Sequence, residues 1–267
     1  MNKNRESNNS IPKDHPRYQS LTYRHKIIEG MKNLVVAEAG LIAHGRGETF
    51  DYIIGEKTNK PAKKAIEAAT AAFLLAKHPI ISVNGNVAAL VPDELVEFSK
   101  VIKAPLEINL FYRKEGRIEA IERVLNNSGA KKLLGTKENQ IVEIEELSSN
   151  RRKVDPDGIK KADLVFVPLE DGDRTEALKK TGKQVITVDL NPISRTALWA
   201  DITIVDNIIR ALPLMIKKVK ELNDLSQDEL QSILENFNNK KNIQESLDLI
   251  IKYIETQKTE AFKHIYP

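Results

Sequence analysis

The sequence predicts a doubly wound α/β fold with a mainly parallel sheet, preceded by a helical and loop segment and followed by a helical extension. Three observations carry this expectation. Short apolar runs of strand length alternate with helical periods from about residue 60 to 222. Residues 162–189 read as one complete strand–helix–strand unit. Glycine occurs from Gly30 to Gly182 and nowhere after it, and the chain from 223 onward reads as two amphipathic helices.

The elements follow in order. Residues 1–10 are polar and read as a disordered arm, and 17–33 as a helix ending near Gly30. The stretch EAGLIAHGRGETFDYIIGE holds Gly40, Gly45, Gly47 and Gly55 without a sustained helical period, so a structured loop with short extended pieces is expected. Pro61 suits a first helical turn, and Ala62, Ile66, Ala69, Phe73 and Ala76 share the face of that helix. Pro79–Val83 reads as a strand closed by the turn Asn84-Gly85-Asn86. A helix over 93–103, a strand over Leu106–Tyr112, a helix marked by Ile118, Ile121 and Leu125, and a short strand at Lys132–Leu134 come next. The polar stretch 135–158 reads as an excursion outside the core.

The clearest unit is ADLVFVP, a short helix over 173–181, and QVITVD. Asp173 and Glu176 have capping-box spacing, and Gly182 suits the position just past the helix. Asp201–Val205 supplies another strand, and Ile208, Leu212, Met215, Ile216 and Val219 line the helix after it, with Pro213 marking a start or a kink. In the tail, Ser226 and Glu229 form a capping box. Leu230, Ile233, Leu234 and Phe237 mark one amphipathic helix, and Ile243, Leu247, Ile250, Ile251 and Ile254 the other. The expected organisation is an arm over 1–10, an α/β domain over 11–222 and a helical extension over 223–267.

Composition removes several function classes. With no cysteine, there is no disulfide scaffold, thiol nucleophile or cysteine-ligated metal. A net charge of +3 does not point to nucleic acid. No apolar run approaches the roughly 20 residues of a membrane span, and no signal-peptide pattern is visible, so a cytoplasmic protein is expected. Neither a Walker A motif nor a GxSxG elbow occurs, and the histidines show no metal-ligand spacing.

Ligands of open parallel sheets sit beyond the carboxyl ends of the strands. Here those ends carry Asn84-Gly85-Asn86, Tyr112-Arg113, Glu170 to Thr175, Asp189-Leu190-Asn191 with Ser194-Arg195-Thr196, and Asp206-Asn207. Asp189 suits ribose hydroxyls and equally suits a turn or cap. The acids of the 170–173 loop repel a bare pyrophosphate but can meet a metal-bound triphosphate or an ammonium. With no phosphate-binding glycine loop, phosphate would fall to arginines, of which Arg17, Arg24, Arg46, Arg113, Arg174 and Arg195 lie beside turn or glycine signals. His44-Gly45-Arg46-Gly47-Glu48 is the densest polar cluster.

Six blocks, IPKDHPRYQSLTYRHKIIEGM, GLIAHGRGETFDYIIGE, SVNGNVAALVP, EINLFYR, VPLEDGDRTEAL and DLNPISRTALWADITIVDNIIRA, stand in this order. Together they resemble the archaeal-type phosphopantothenate synthetases, the 4-phosphopantoate–β-alanine ligases, over residues 11–222. His25 departs from the acid usual after the arginine, residues 131–160 match loosely, and the tail lies outside the resemblance. What the resemblance implies is a Rossmann-like, homodimeric ligase of coenzyme A synthesis. Such an enzyme uses ATP and Mg²⁺ to join 4-phosphopantoate to β-alanine through an acyl adenylate, releasing AMP and diphosphate. Carried over by motif, the nucleotide is expected at Arg24, Arg46, Asp189, Leu190, Asn191, Arg195, Thr196, Asn207 and Ile208. Asn84, Asn86 and Arg113 are candidates for phosphopantoate, and His44 for donating to a phosphate or carboxylate. Asp171 or Asp173 is a candidate for the β-alanine ammonium or Mg²⁺, and Arg174 for a catalytic role. The rival readings are a non-catalytic nucleotide-binding regulatory domain and an NAD-dependent oxidoreductase, the latter weakened by the missing GxGxxG.

Overall fold

In a computed structural model, which describes residues 11–15, 17–136, 141–145 and 150–263, six parallel strands form one sheet. The strands are β1 (Pro79–Val83), β2 (Leu106–Ile108), β3 (Leu133–Leu134), β6 (Leu164–Phe166), β7 (Gln184–Val188) and β8 (Ile202–Ile204). A separate antiparallel pair joins β4 (Val142–Glu143) to β5 (Lys153–Val154). The sheet order is β3-β2-β1-β6-β7-β8, so the chain starts at the centre, winds to one edge, then returns and winds to the other. This is the Rossmann-like order, with its switch point between β1 and β6. The arm expected over 1–10 lies outside the described residues.

Strands covered on both faces should be apolar throughout, and β6 and β8 are buried at every position. Alternate residues divide between two cores. Ile81, Phe166 and Ile186 face the core built with α3 (Lys60–Leu75), α5 (Pro92–Val101), α6 (Arg117–Asn127) and α9 (Ile208–Leu222). Ile80, Val165 and Val185 face the other, with Leu178 of α7 (Gly172–Lys180). Phe73, Phe98 and Phe166 lock the first core edge to face, with ring centroids 5.1, 5.8 and 6.0 Å apart. Such pairs add about 0.5–1.5 kcal/mol each beyond the burial of their area.

Several local expectations change. Residues expected as a loop form α2 (Glu38–Ile53), which follows α1 (Tyr18–Lys32). The glycines hide its period because Gly40, Ala43 and Gly47 form a small-residue face that lines a cavity, with Gly40 packed close against Asn86 and Val36, instead of an apolar face toward a core. Beyond the turn at Asn84, the backbone forms the short α4 (Gly85–Leu90). The strand expected to reach Tyr112 stops at Ile108. The stretch 135–158 is not merely peripheral, since Ile144 and Val154 are buried in the second core. Helix α7 is capped by Asp171, whose Oδ1 accepts the Arg174 N–H at 2.9 Å, and not by Asp173. Helix α9 runs through Pro213, in its second turn.

The tail forms α10 (Gln227–Glu235), opened by the Ser226–Glu229 capping box, and α11 (Asn239–Glu260). Both pack on α3, and α11 also touches α2 and β8. Asn239 ties the tail to the sheet edge, accepting the Thr203 N–H at 2.8 Å and donating to the Ala200 carbonyl at 2.9 Å. Ile243 and Ile250 are buried, whereas Ile251 and Ile254 are exposed. Among the described residues, no helix is long and apolar enough to cross a membrane.

Candidate active site

A cavity of about 590 Å³ opens over the carboxyl ends of β1, β6 and β7 and the start of α9, roofed by α1 and α2. It therefore lies at the switch point, where neighbouring connections leave in opposite directions and part the sheet surface.

The floor begins at Asn84, which accepts the Val87 N–H and donates to the Pro168 and Leu169 carbonyls at 2.9 and 3.1 Å. One amide thus caps α4 and fastens the end of β1 to the end of β6. Gly85 follows because a Cβ there would collide with the Val35 carbonyl oxygen. Leu169 adopts φ +53°, a left-handed conformation that a leucine holds only at a cost. Beyond it, Glu170 lies between two guanidiniums, with Arg151 and Arg174 each at 2.5 Å. Arg151 Nε also approaches Asp171 at 3.2 Å.

At the end of β7, Asp189 accepts the Asn191 N–H at 2.9 Å and the Ser194 hydroxyl. Burial pushes its carboxyl above the usual range, against the pull of those two donors. At the end of β8, Asn207 caps α9 and donates to Asp51 of α2 at 2.7 Å. Arg210 bridges Asp51 and Asp206, at 2.6 Å from each. This network anchors α2 over the β7–β8 end of the cavity.

On α2, Gly40, Ala43, His44, Gly47 and Asp51 line the cavity at the spacing of one helical face, and Ala39, Arg46, Glu48 and Phe50 flank that face on the same cavity. Burial pushes the His44 imidazole down; Glu48 opposes this and Arg24 adds to it, so His44 is a neutral donor or acceptor near pH 7. Glu48 is held below the usual carboxylate range: burial raises it, and hydrogen bonds from Tyr52 and Arg24, both at 2.8 Å, outweigh that.

Of the residues chosen from sequence, His44, Arg46, Asn84, Asn86, Asp171, Asp189, Leu190, Asn191, Thr196 and Asn207 line this cavity. The others lie outside its lining. Arg24 pairs with the lining residue Glu48, and Arg113 donates to the Gly135 carbonyl at 3.1 Å. Arg174 is buried behind Glu170, and Ile208 is buried in the core. Asp173 and Arg195 pair with each other at the surface, where the Asp173 side chain is 80% exposed. Sequence reasoning passed over Asp51, Arg117, Arg151 and Arg210, all of which line the cavity. Arg210 had a signal, four residues after Asp206 at a helix start. Arg151, inside a polar charge run, had none.

Comparison with known proteins agrees with this architecture. The sequence model of the phosphopantothenate/pantothenate synthetase family matches residues 61–253. The match crosses α10 and most of α11, so the helices expected as an extension outside the resemblance fall within the family's span. The 4-phosphopantoate–β-alanine ligase of Thermococcus kodakarensis is 57% identical over 239 residues, covering 89% of this chain and 91% of that protein. The ligase of the same name from Methanosarcina mazei is 47% identical over 251 residues, 94% of this chain and 98% of that protein. The one from Methanospirillum hungatei is 42% identical over 240 residues, covering 90% and 96%. On this similarity, and with the cavity at the switch point of a Rossmann-like sheet, the chain belongs to the phosphopantothenate/pantothenate synthetase family.

Proposed function

We propose that this protein is an ATP-dependent ligase that joins 4-phosphopantoate to β-alanine, giving 4′-phosphopantothenate, AMP and diphosphate. The observation that carries the reading is sequence identity of 42–57% over about nine-tenths of the chain to ligases of that name. The cavity supports it with two chemically different ends. Asp189, Asn191, Thr196 and Asn207 offer hydrogen-bond partners for a nucleoside, with Arg46 on the roof for its phosphates. Asn84, Asn86 and Arg151 line the other end, which suits a small anionic acid.

A carboxylate is a poor electrophile, so the acid must be activated before an amine can attack it. Attack of its carboxylate oxygen on the α-phosphorus of ATP breaks the bond to diphosphate and gives an acyl adenylate. The neutral amine of β-alanine then attacks the acyl carbon and expels AMP, and its proton passes to a carboxylate or to water. Asp171, partly exposed at the cavity wall, is the candidate for receiving the ammonium of β-alanine. Asp171 is also an oxygen donor of the kind a hard divalent cation takes, and such a cation, when bound, would neutralise charge on the phosphates. The reading includes a cytoplasmic homodimer, and exposed Ile193, Leu198 and Trp199 beside the cavity give it an apolar surface. The test is an AMP-release assay with each substrate omitted in turn. Sustained AMP formation is expected only with ATP, 4-phosphopantoate and β-alanine together, and ADP in place of AMP would overturn the adenylation step.

A further inference from the structure

We infer that His44 is the group that carries the proton from the attacking amine to water in the second half of the reaction. This rests on the ligase reading above and deepens it by naming the residue for its proton transfer.

The course of α2 over the cavity can be followed from its contacts. Near its start, Asn86 beyond β1 donates to the Gly40 carbonyl at 2.9 Å. Two turns on, a Cβ at Gly47 would stand 3.5 Å from Leu190, just past the end of β7. In its last turn, Asp51 accepts from Asn207 and Arg210 at the end of β8, at 2.7 and 2.6 Å. His44 lies one turn after Gly40 and one turn before Gly47, on the same cavity-lining face. Because the sheet order runs β1-β6-β7-β8, this places His44 above the end of β6, between the acid end and the nucleoside end. The acyl adenylate spans those two ends, so the carbon under attack falls between them. Asp171, the candidate for receiving the ammonium of β-alanine, follows β6 on the sheet side of the same cavity.

The imidazole is half-buried and, among the described residues, holds no hydrogen bond or ion pair. The acids of the cavity are engaged. Glu48 holds Arg24 and Tyr52, and Asp51 holds Arg210 and Asn207. Glu170 holds Arg151 and Arg174, and Asp189 holds Asn191 and Ser194. Asp171 caps α7 and stands 3.2 Å from Arg151 Nε, and Glu56 is exposed beyond the far end of α2. A carboxylate that took up a proton would give up part of its hold on these partners, whereas His44 takes one without breaking a contact. Burial pushes the imidazole down, Glu48 and Asp51 oppose this, and Arg24 adds to it. It is therefore neutral near pH 7 and closer to the operating pH than an ordinary carboxylate, as a general base should be. The ammonium loses one proton to solvent as it becomes the neutral amine. When the nitrogen bonds to the acyl carbon, the bond from that carbon to the AMP oxygen breaks and its electron pair leaves with AMP. The second proton passes from the nitrogen to His44 and then to water.

The test follows the first turnover of wild type, His44→Gln and His44→Ala by rapid quench, with ATP, 4-phosphopantoate and β-alanine all present. Diphosphate reports adenylation, and AMP reports attack of the amine. In both variants diphosphate should form within about threefold of the wild-type rate and AMP about 100-fold more slowly, so that the acyl adenylate accumulates. Adenylation at that rate also shows that the variants are folded. Imidazole added to the alanine variant should raise its AMP rate about tenfold, which a merely structural role would not allow. An AMP rate within about threefold of wild type, or an equal slowing of diphosphate and AMP, would overturn the assignment while leaving the ligase reading intact. A wild-type enzyme that forms neither product from the three substrates would remove both.

Discussion

The two ends of the cavity are assembled in opposite ways. At the β7–β8 end, most ties are local: Asp189 to Asn191 and Ser194, Asp206 to Arg210, and Asn207 to the start of its own helix. The bridge to Asp51 of α2 and the hydroxyl of Thr58, which donates to Asp206 at 2.6 Å, reach far along the chain. At the β1–β6 end local caps such as Asn84 to Val87 are joined by more distant ties: Asn84 to Pro168, Arg151 to Glu170, Glu107 to Ile159, and Arg117 to Val35. The first end takes shape when one strand–turn–helix forms. The second exists only after the whole sheet and the 151–159 segment have come together, so its chemistry is coupled to global packing.

This difference can be broken most forcefully at Glu170. Glu170→Gln removes the one carboxylate shared by two buried guanidiniums and should cost about 3–5 kcal/mol. Chemical denaturation measures it, and a loss under about 1 kcal/mol would mean the arginines find other partners. The next effect lies at Glu107. Burial, with Asp155 adding to it, moves this carboxyl from 4.5 to about 7 against the pull of Ile159, Asp155 N–H and Arg174. Between those values the folded state holds a proton that the unfolded chain has released, so this group makes stability fall as pH rises toward 7. Glu107→Gln removes the dependence. Its stability relative to wild type should improve by about 2–3 kcal/mol between pH 5 and pH 8. A difference that stays flat with pH contradicts the burial account. The smallest effect is expected at Asp173, exposed and paired with Arg195 outside the cavity. Asp173→Asn should change stability by less than about 1 kcal/mol and leave kcat/KM within about threefold.

The same contrast explains what could be read in advance. The β6–α7–β7 unit, the tail capping box and the strand-end polar residues Asn84, Asp189 and Asn207 are local patterns, and the sequence shows them directly. Helix α2 was hidden because its lining face is made of small residues, which erases the apolar period. Arg151 was hidden because its position depends on Glu107 and Asn109, more than forty residues earlier, and no local rule connects them. Arginines picked for their turn neighbours divided accordingly. Arg46 faces the cavity, whereas Arg174 and Arg195 serve ion pairs outside it.

The central claim is that the two ends present the acid's carboxylate to the α-phosphorus of ATP across one cavity. Turnover of 4-phosphopantoate labelled with ¹⁸O in its carboxylate tests it directly, with the label followed by mass spectrometry. The account predicts one ¹⁸O in AMP for each product formed. Label in inorganic phosphate, or AMP without label, would contradict it.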